Sequence, residues 1–159
     1  MKAKEGVIEV LNKILTADLT AINQYFVHAK MCENWGYERL YHKVRERSMD
    51  EMKDADELIE HILYLEGVPN VQRLGTVNVG EAVPEQLKID LKSEQEMLKL
   101  LADGITHCAK VGDFTTRHMF EDMSEDVDEH IDWIETQLET IKQVGVENYL
   151  SEQIKKEGS

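Results

Sequence analysis

The chain has 159 residues, enough for one domain (1–159) with a substantial apolar core. Forty-two per cent apolar residues with only two prolines describe a folded, helical chain and exclude a disordered one. A formal net charge of −14 argues against nucleic acid or anionic membrane as partners, since both are polyanions, and is compatible with attracting cations.

Between Gly6 and Trp35 the apolar residues Ile8, Leu11, Leu15, Ile22, Tyr25 and Ala29 recur in steps of three and four, which predicts a first helix ended by Gly36. Asp18 stands in that stripe where a hydrophobe is missing. A second helix is predicted from Glu38 to Leu65, stopping at Gly67 with Pro69 beyond; Leu40, Val44, Leu58, Ile62 and Leu65 form its inward stripe. Residues 66 to 82 hold no helical period but carry Gly67, Pro69, Asn70, Gly75, Asn78 and Gly80, a long connection along a bundle. Pro84 suits the first turn of a third helix, whose stripe is Leu87, Leu91, Leu98, Leu101, Ile105 and Cys108, with Glu94 in the same seam. Gly112 and Asp113 supply a stop and an N-cap. A fourth helix follows from Phe114 to Val144, with Phe120, Met123, Val127, Ile134 and Ile141 on one stripe and His130 within it. Residues 146 to 156 can make a short fifth.

Four helices of about 28 residues, each ~40 Å long, predict an all-α four-helix bundle with a long crossover between the second and third helices. The crossover makes those two helices parallel. Each helix is interrupted near the middle of its inward stripe: Asp18; Glu51 and Asp54, one turn apart; Glu94; and His130. Carboxylates on a core-facing stripe are costly unless a cation or a proton meets them. Interruptions at matching depth on four helices therefore point to a metal site inside the bundle. Cys32 and Cys108 are far apart and form no metal-binding pair, and no run approaches the ~18 apolar residues of a membrane span, so a reduced, cytoplasmic setting is expected.

The stretches Ala21-Ile-Asn-Gln-Tyr-Phe26, Asn34-Trp-Gly36, Asp50-Glu-Met-Lys53, Leu65-Glu-Gly-Val-Pro-Asn70, His130-Ile-Asp-Trp133 and Asn148-Tyr-Leu150 resemble the bacterioferritins of the ferritin-like superfamily over essentially the whole chain. Ferritin-like di-iron proteins place a carboxylate on each of two helices and an E-x-x-H on each of the other two. The resemblance implies intracellular iron storage in a shell of 24 subunits. It also implies haem b between two-fold related subunits, its iron axially ligated by Met52 from each, and an electron-donor protein such as a ferredoxin. Thioether ligation raises a haem's reduction potential, which suits electron delivery to stored ferric iron. From spacing alone, Met49, Met52, Ile59 and Leu63 read as an interface stripe. The family's ferroxidase positions fall on Asp18, Glu51, Asp54, Glu94, Val127 and His130. Asp18 is shorter than the family's glutamate, Asp54 stands for a histidine, and Val127 stands for a glutamate.

Two readings of that site stay open. In one, the carboxylates and His130 still bind iron, with Asp54 as an oxygen ligand. In the other the site is degenerate: Val127 completes an apolar stripe, and Arg47, one turn before Glu51, either supplies the missing positive charge or pairs with surface carboxylates. The expected function is a haem-binding storage subunit with a degenerate ferroxidase centre, assembled with a ferroxidase-competent partner subunit. The alternative is a self-sufficient bacterioferritin oxidising Fe(II) at an altered di-iron site. Glu46 and Asp50, at i, i+4, are weaker candidates for holding iron on the shell interior. Asn34, Glu66, Asp132 and Glu139 are candidates for a cation pore by resemblance, while Cys32, Cys108, His28, His61, Trp35 and Trp133 read as packing.

Overall fold

A computed structural model describes residues 1–155. It contains five helices: α1 (Val7–Asn34), α2 (Glu38–Tyr64), α3 (Val83–Val111), α4 (Phe114–Val144) and α5 (Val146–Gln153). The four long helices form the expected bundle, and there is no strand among the described residues. Residue 156, the expected end of the fifth helix, lies outside the described residues.

The ends follow the chemistry of their sequences. Pro84 sits in the first turn of α3, where its missing N–H leaves no carbonyl unpaired. Gly112 takes the left-handed geometry at φ 80° that closes α3, and Asp113 then accepts the Thr116 backbone N–H at 3.0 Å to begin α4.

Contacts between helices set their directions. Asp18 faces Glu51, and the Ser48 hydroxyl donates to the Ile22 carbonyl, so α1 and α2 run antiparallel. Gln24 bonds Asp90 while Val10 approaches Gly104, so α1 and α3 are antiparallel as well. Helices α2 and α3 are therefore parallel. The crossover achieves this by tracking α1 turn by turn. Asn12 donates to the Val68 carbonyl and accepts from Asn70, Thr20 accepts the Gly75 N–H, Gln24 the Asn78 N–H, and His28 the Gly80 N–H. Backbone groups of an irregular segment are thus paired with side chains spaced one or two helical turns apart on one face of α1.

The core is layered along the bundle axis. One apolar layer holds Leu11, Ile62, Leu101 and Phe120, among others. A second, toward the other end, holds Cys32, Leu40, Leu87 and Ile134. Between them every long helix carries polar residues: Asp18 on α1, Arg47 and Glu51 on α2, Asp90 and Glu94 on α3, His130 on α4, all buried. No helix among the described residues is long and apolar enough to cross a membrane.

Candidate metal centre

Asp18 is fully buried; among the described residues no N–H or hydroxyl donor reaches its oxygens, and the Glu51 carboxyl is its one hydrogen-bonding neighbour. It lies with Glu51 and Asp54 such that one ligand oxygen from each falls within 4.8 Å of the others. Glu51 and Asp54 are brought together by the i, i+3 spacing on α2, and Asp18 reaches them because α1 packs antiparallel on that face. Burial raises the Asp18 carboxyl far above the usual carboxylate range, and Glu51 and Asp54 push it further in the same direction. Asp54, half-buried, is raised to about 7 by burial and then by Glu51, with Arg47 opposing.

The other half of the polar layer is built around a guanidinium. Arg47 is buried, and its Nη2 lies 2.6 Å from Glu51 Oε1 and 3.0 Å from Glu94 Oε2, linking α2 to α3. The Tyr25 hydroxyl donates to the other oxygen of Glu94. Glu94 is raised by burial, against which the Arg47 charge works. Burial and the carboxylates around it raise the Tyr25 phenol well above its ordinary value.

His130 is not one of the three clustered carboxylates' partners and packs against aromatic rings. Its ring stacks on Trp133 at 5.6 Å and meets the Tyr25 ring edge-on at 5.5 Å. Burial, then the positive charges of Arg47 and Lys43, push the imidazole down to about 3, so it is neutral at pH 7. Val127, one turn earlier on α4, is buried in the apolar layer with Met123 and Phe120.

The sequence therefore places the right residues at one level but groups them differently from the expected set. Asp18, Glu51 and Asp54 come together within 4.8 Å of one another. Glu94 is drawn away to Arg47, and His130 lies outside the carboxylate group. The open choice for Arg47 resolves to the internal bridge rather than a surface pair. A pair of ions held side by side does not fit this arrangement: the space between Glu51 and Glu94 has a guanidinium at hydrogen-bond distance from both, and α4 offers Val127. A single cation fits the donor set of Asp18, Glu51 and Asp54.

Glu46 and Asp50 line a cleft of about 390 Å³ between α2 and α4, together with Asp54, Asp126 and His130. On the opposite side, a groove of about 640 Å³ under the crossover reaches Glu51 and Glu94. Met52 is 48 % exposed on the outward side of α2, in line with Met49 and Leu63, which are also exposed. Asn34, Glu66, Asp132 and Glu139 are all exposed on the surface.

Sequence reasoning missed Asp90. It is buried and accepts from Gln24 Nε2 at 2.9 Å and from His28 Nδ1 at 2.9 Å. Because His28 Nε2 accepts the Gly80 N–H at 3.0 Å, the imidazole proton must sit on Nδ1. The available signal was its position one turn before Glu94. This network makes His28 a structural residue that ties the crossover to α1 and α3.

The ferritin-like domain matches this chain over residues 8–144. The chain is 44 % identical to the bacterioferritin of Mycobacterium leprae (strain TN) over 149 residues, 94 % of each chain. It is 43 % identical to that of Mycobacterium avium over the same shares. To the bacterioferritin of Rhodobacter capsulatus it is 41 % identical, covering 94 % of this chain and 92 % of the relative.

Proposed function

The chain belongs to the bacterioferritins, within the ferritin-like domain family, and we propose that it is a haem-binding iron-storage subunit whose ferroxidase centre is degenerate. Iron is the cargo. Such a subunit works in a 24-subunit shell that also contains a subunit able to oxidise ferrous iron. The observation that carries the degenerate-centre reading is the Arg47 bridge: a guanidinium fixed between Glu51 and Glu94 meets two carboxylates that a second iron would have to bind. Val127 supports it, because a buried valine in the apolar layer removes the α4 carboxylate. Neutral His130, packed between Tyr25 and Trp133, is left without a ligand partner.

The haem half of the reading rests on Met52. Its thioether is a suitable axial donor, and it sits half-exposed on an outward stripe with exposed Met49 and Leu63. A second subunit laid on this face would bring two such thioethers together and cover the stripe. Haem held there would supply one-electron transfer toward stored ferric iron. The protein's part is to exclude water around the group with Met49 and its apolar neighbours and to fix the donor on a rigid helix.

One observation favours the self-sufficient alternative, a bacterioferritin that still oxidises Fe(II) at its altered site: Asp18, Glu51 and Asp54 remain close enough to share an ion. Stopped-flow oxidation of Fe(II) by the purified homomer separates the readings. The degenerate centre is expected to oxidise Fe(II) at least ~10-fold more slowly than a ligand-complete relative, as ligand loss at a metal site implies. Equal rates would overturn it. Met52→Leu is expected to abolish the haem absorption bands while leaving the shell intact by size-exclusion chromatography, and bands that persist refute the Met52 assignment.

A further inference from the structure

We propose that His28 is an acid-sensitive latch on the crossover: neutral, it holds residues 78–80 down against α1 and α3, and protonated, it releases them. The inference goes beyond the storage reading, and no residue of the metal centre titrates in it.

The latch is built on one buried carboxylate. Asp90 Oδ1 accepts from His28 Nδ1 at 2.9 Å and from Gln24 Nε2 at 2.9 Å. Each of these bonds turns the other end of its side chain, an acceptor, toward the crossover. Gln24 Oε1 takes the Asn78 N–H at 3.3 Å, and His28 Nε2 takes the Gly80 N–H at 3.0 Å. The two holds differ in kind. An amide oxygen accepts at any pH, whereas an imidazole nitrogen accepts only while the ring is neutral.

A proton arriving from solvent at Nε2 leaves the Nδ1–H bond to Asp90 in place and makes it an ion pair. It also turns Nε2 into a donor that faces the Gly80 N–H. His28 is 0 % exposed and Gly80 is buried, so both donors would then lack an acceptor in the closed crossover. A small sideways shift gives no relief. The Gly80 carbonyl is held by Gln86 Nε2 at 3.0 Å, and its Cα packs so tightly that an added Cβ would lie 2.7 Å from the Gln86 nitrogen. Lifting the crossover lets both N–H groups reach water. The lifted state therefore takes up the proton more readily than the closed one, and acid favours it by linkage.

The groups around the ring leave His28 as the one that changes the fit. Asp90 is its titratable neighbour from α3, and Cys32, one turn on along α1, is a neutral thiol pushed up to about 12 by burial and then by Asp90. Tyr149 of α5, beside Cys32, is a neutral phenol raised by burial. At the end of the crossover Glu81 is exposed, as is Glu85 in the first turn of α3. Release has a structural consequence. Gly75, Thr76 and Asn78 are part of the crossover wall of the 640 Å³ groove, whose floor reaches Glu51 and Glu94. Acid would thus open the polar layer to solvent from the α1–α3 side.

The test is hydrogen exchange of the assembled protein, read by mass spectrometry on peptides covering residues 75–82 and corrected for the intrinsic pH dependence of amide exchange. A peptide covering 98–105, in the apolar layer, is the control. An imidazole open to water titrates near pH 6.5, so going from pH 7.5 to pH 5 multiplies a lifted population by up to about 30-fold. Crossover protection is expected to fall at least ~10-fold over that range while the control holds. His28→Gln offers an oxygen that takes no proton, so its crossover protection, at whatever level, should be equal at the two pH values. Comparison with that variant cancels the titration of Asp54 and Glu94. Asp90→Asn keeps an oxygen for His28 and Gln24 but removes the charge that draws the proton, and should move the loss to lower pH. Crossover protection that is unchanged by acid in wild type, a fall of equal size in His28→Gln, or a loss at the wild-type pH in Asp90→Asn overturns the inference. Neither iron nor haem enters the measurement.

Discussion

Removing the internal cation should make the fold depend on metal. Arg47→Met keeps a long apolar stem in the bundle and deletes the guanidinium that now sits 2.6 Å from Glu51 and 3.0 Å from Glu94. All three residues are buried, so solvent screening is small. Breaking a buried pair by deleting one partner costs about 3–5 kcal/mol. The chain has an escape that limits the cost: it can protonate one glutamate. Doing so at pH 7, from an ordinary value of about 4.3, costs about 4 kcal/mol. The expected destabilisation of the metal-free variant is therefore about 3–4 kcal/mol per subunit. At about 2–4 °C per kcal/mol for a domain of this size, its apparent Tm should fall by roughly 6–16 °C. The assay is circular dichroism melting of chelator-treated wild type and variant at equal subunit concentration and pH 7. Adding Mn(II) at about 100 times its Kd should return about 2.7 kcal/mol to the variant, since the freed carboxylates then hold the ion. A metal-free variant melting within ~2 °C of wild type, at the low edge of what 1 kcal/mol produces, would refute the claim that Arg47 compensates this layer.

Three further outcomes follow from other parts of the molecule. Asp54→His with Val127→Glu should leave Fe(II) oxidation slow while Arg47 still holds Glu51 and Glu94; adding Arg47→Gln should raise the initial rate at least ~10-fold in stopped-flow absorbance. Gly80→Ala should loosen the crossover. The new Cβ would lie 2.7 Å from the Gln86 backbone nitrogen and 2.9 Å from its Cα, so the segment must shift away from His28 and Gln86. The expected cost is about 1–3 kcal/mol, seen as faster hydrogen exchange at the crossover amides. His61 gives the pH dependence. Its Nε2–H donates to Thr116 Oγ1 at 2.7 Å, and burial lowers its pKa below the ordinary value of 6.5. The unfolded chain then binds the extra proton first, so this stabilisation is complete above about pH 6.5 and is lost as pH falls toward the folded pKa. The melting temperature of wild type relative to His61→Gln should therefore fall between pH 7 and pH 5.5, whatever the raised carboxyls Asp54 and Glu94 contribute to both.

The fold was legible in the sequence because each long helix carries a helical period of apolar residues, broken only at the polar layer and bounded by strong signals. Gly36, Gly112 and Gly145 mark stops, Asp113 acts as the N-cap it resembles, and Pro84 opens α3. The depth of the polar layer was legible too. Asp18, Glu51, Glu94 and His130 replace hydrophobes at corresponding turns, and the structure puts all four between the two apolar layers. Asp90 escaped notice for a local reason. It lies beside Leu91, and only the side chains of Gln24 and His28, more than sixty positions earlier, reveal that it faces inward.

Pairing within the polar layer was not legible, and Arg47 shows why. Spacing on α2 gives the Arg47–Glu51 pair directly, since i, i+4 residues meet on a helix surface. On an exposed face that pair would contribute little, at most about 1 kcal/mol. Its meaning changes only because Glu94 arrives from α3, 47 positions later, to the other side of the same nitrogen. That arrival depends on α2 and α3 running parallel, hence on a crossover that climbs α1 from Asn12 to His28. The bridging of this core by the Arg47 guanidinium is thus set by the loop that carries none of the bridged residues.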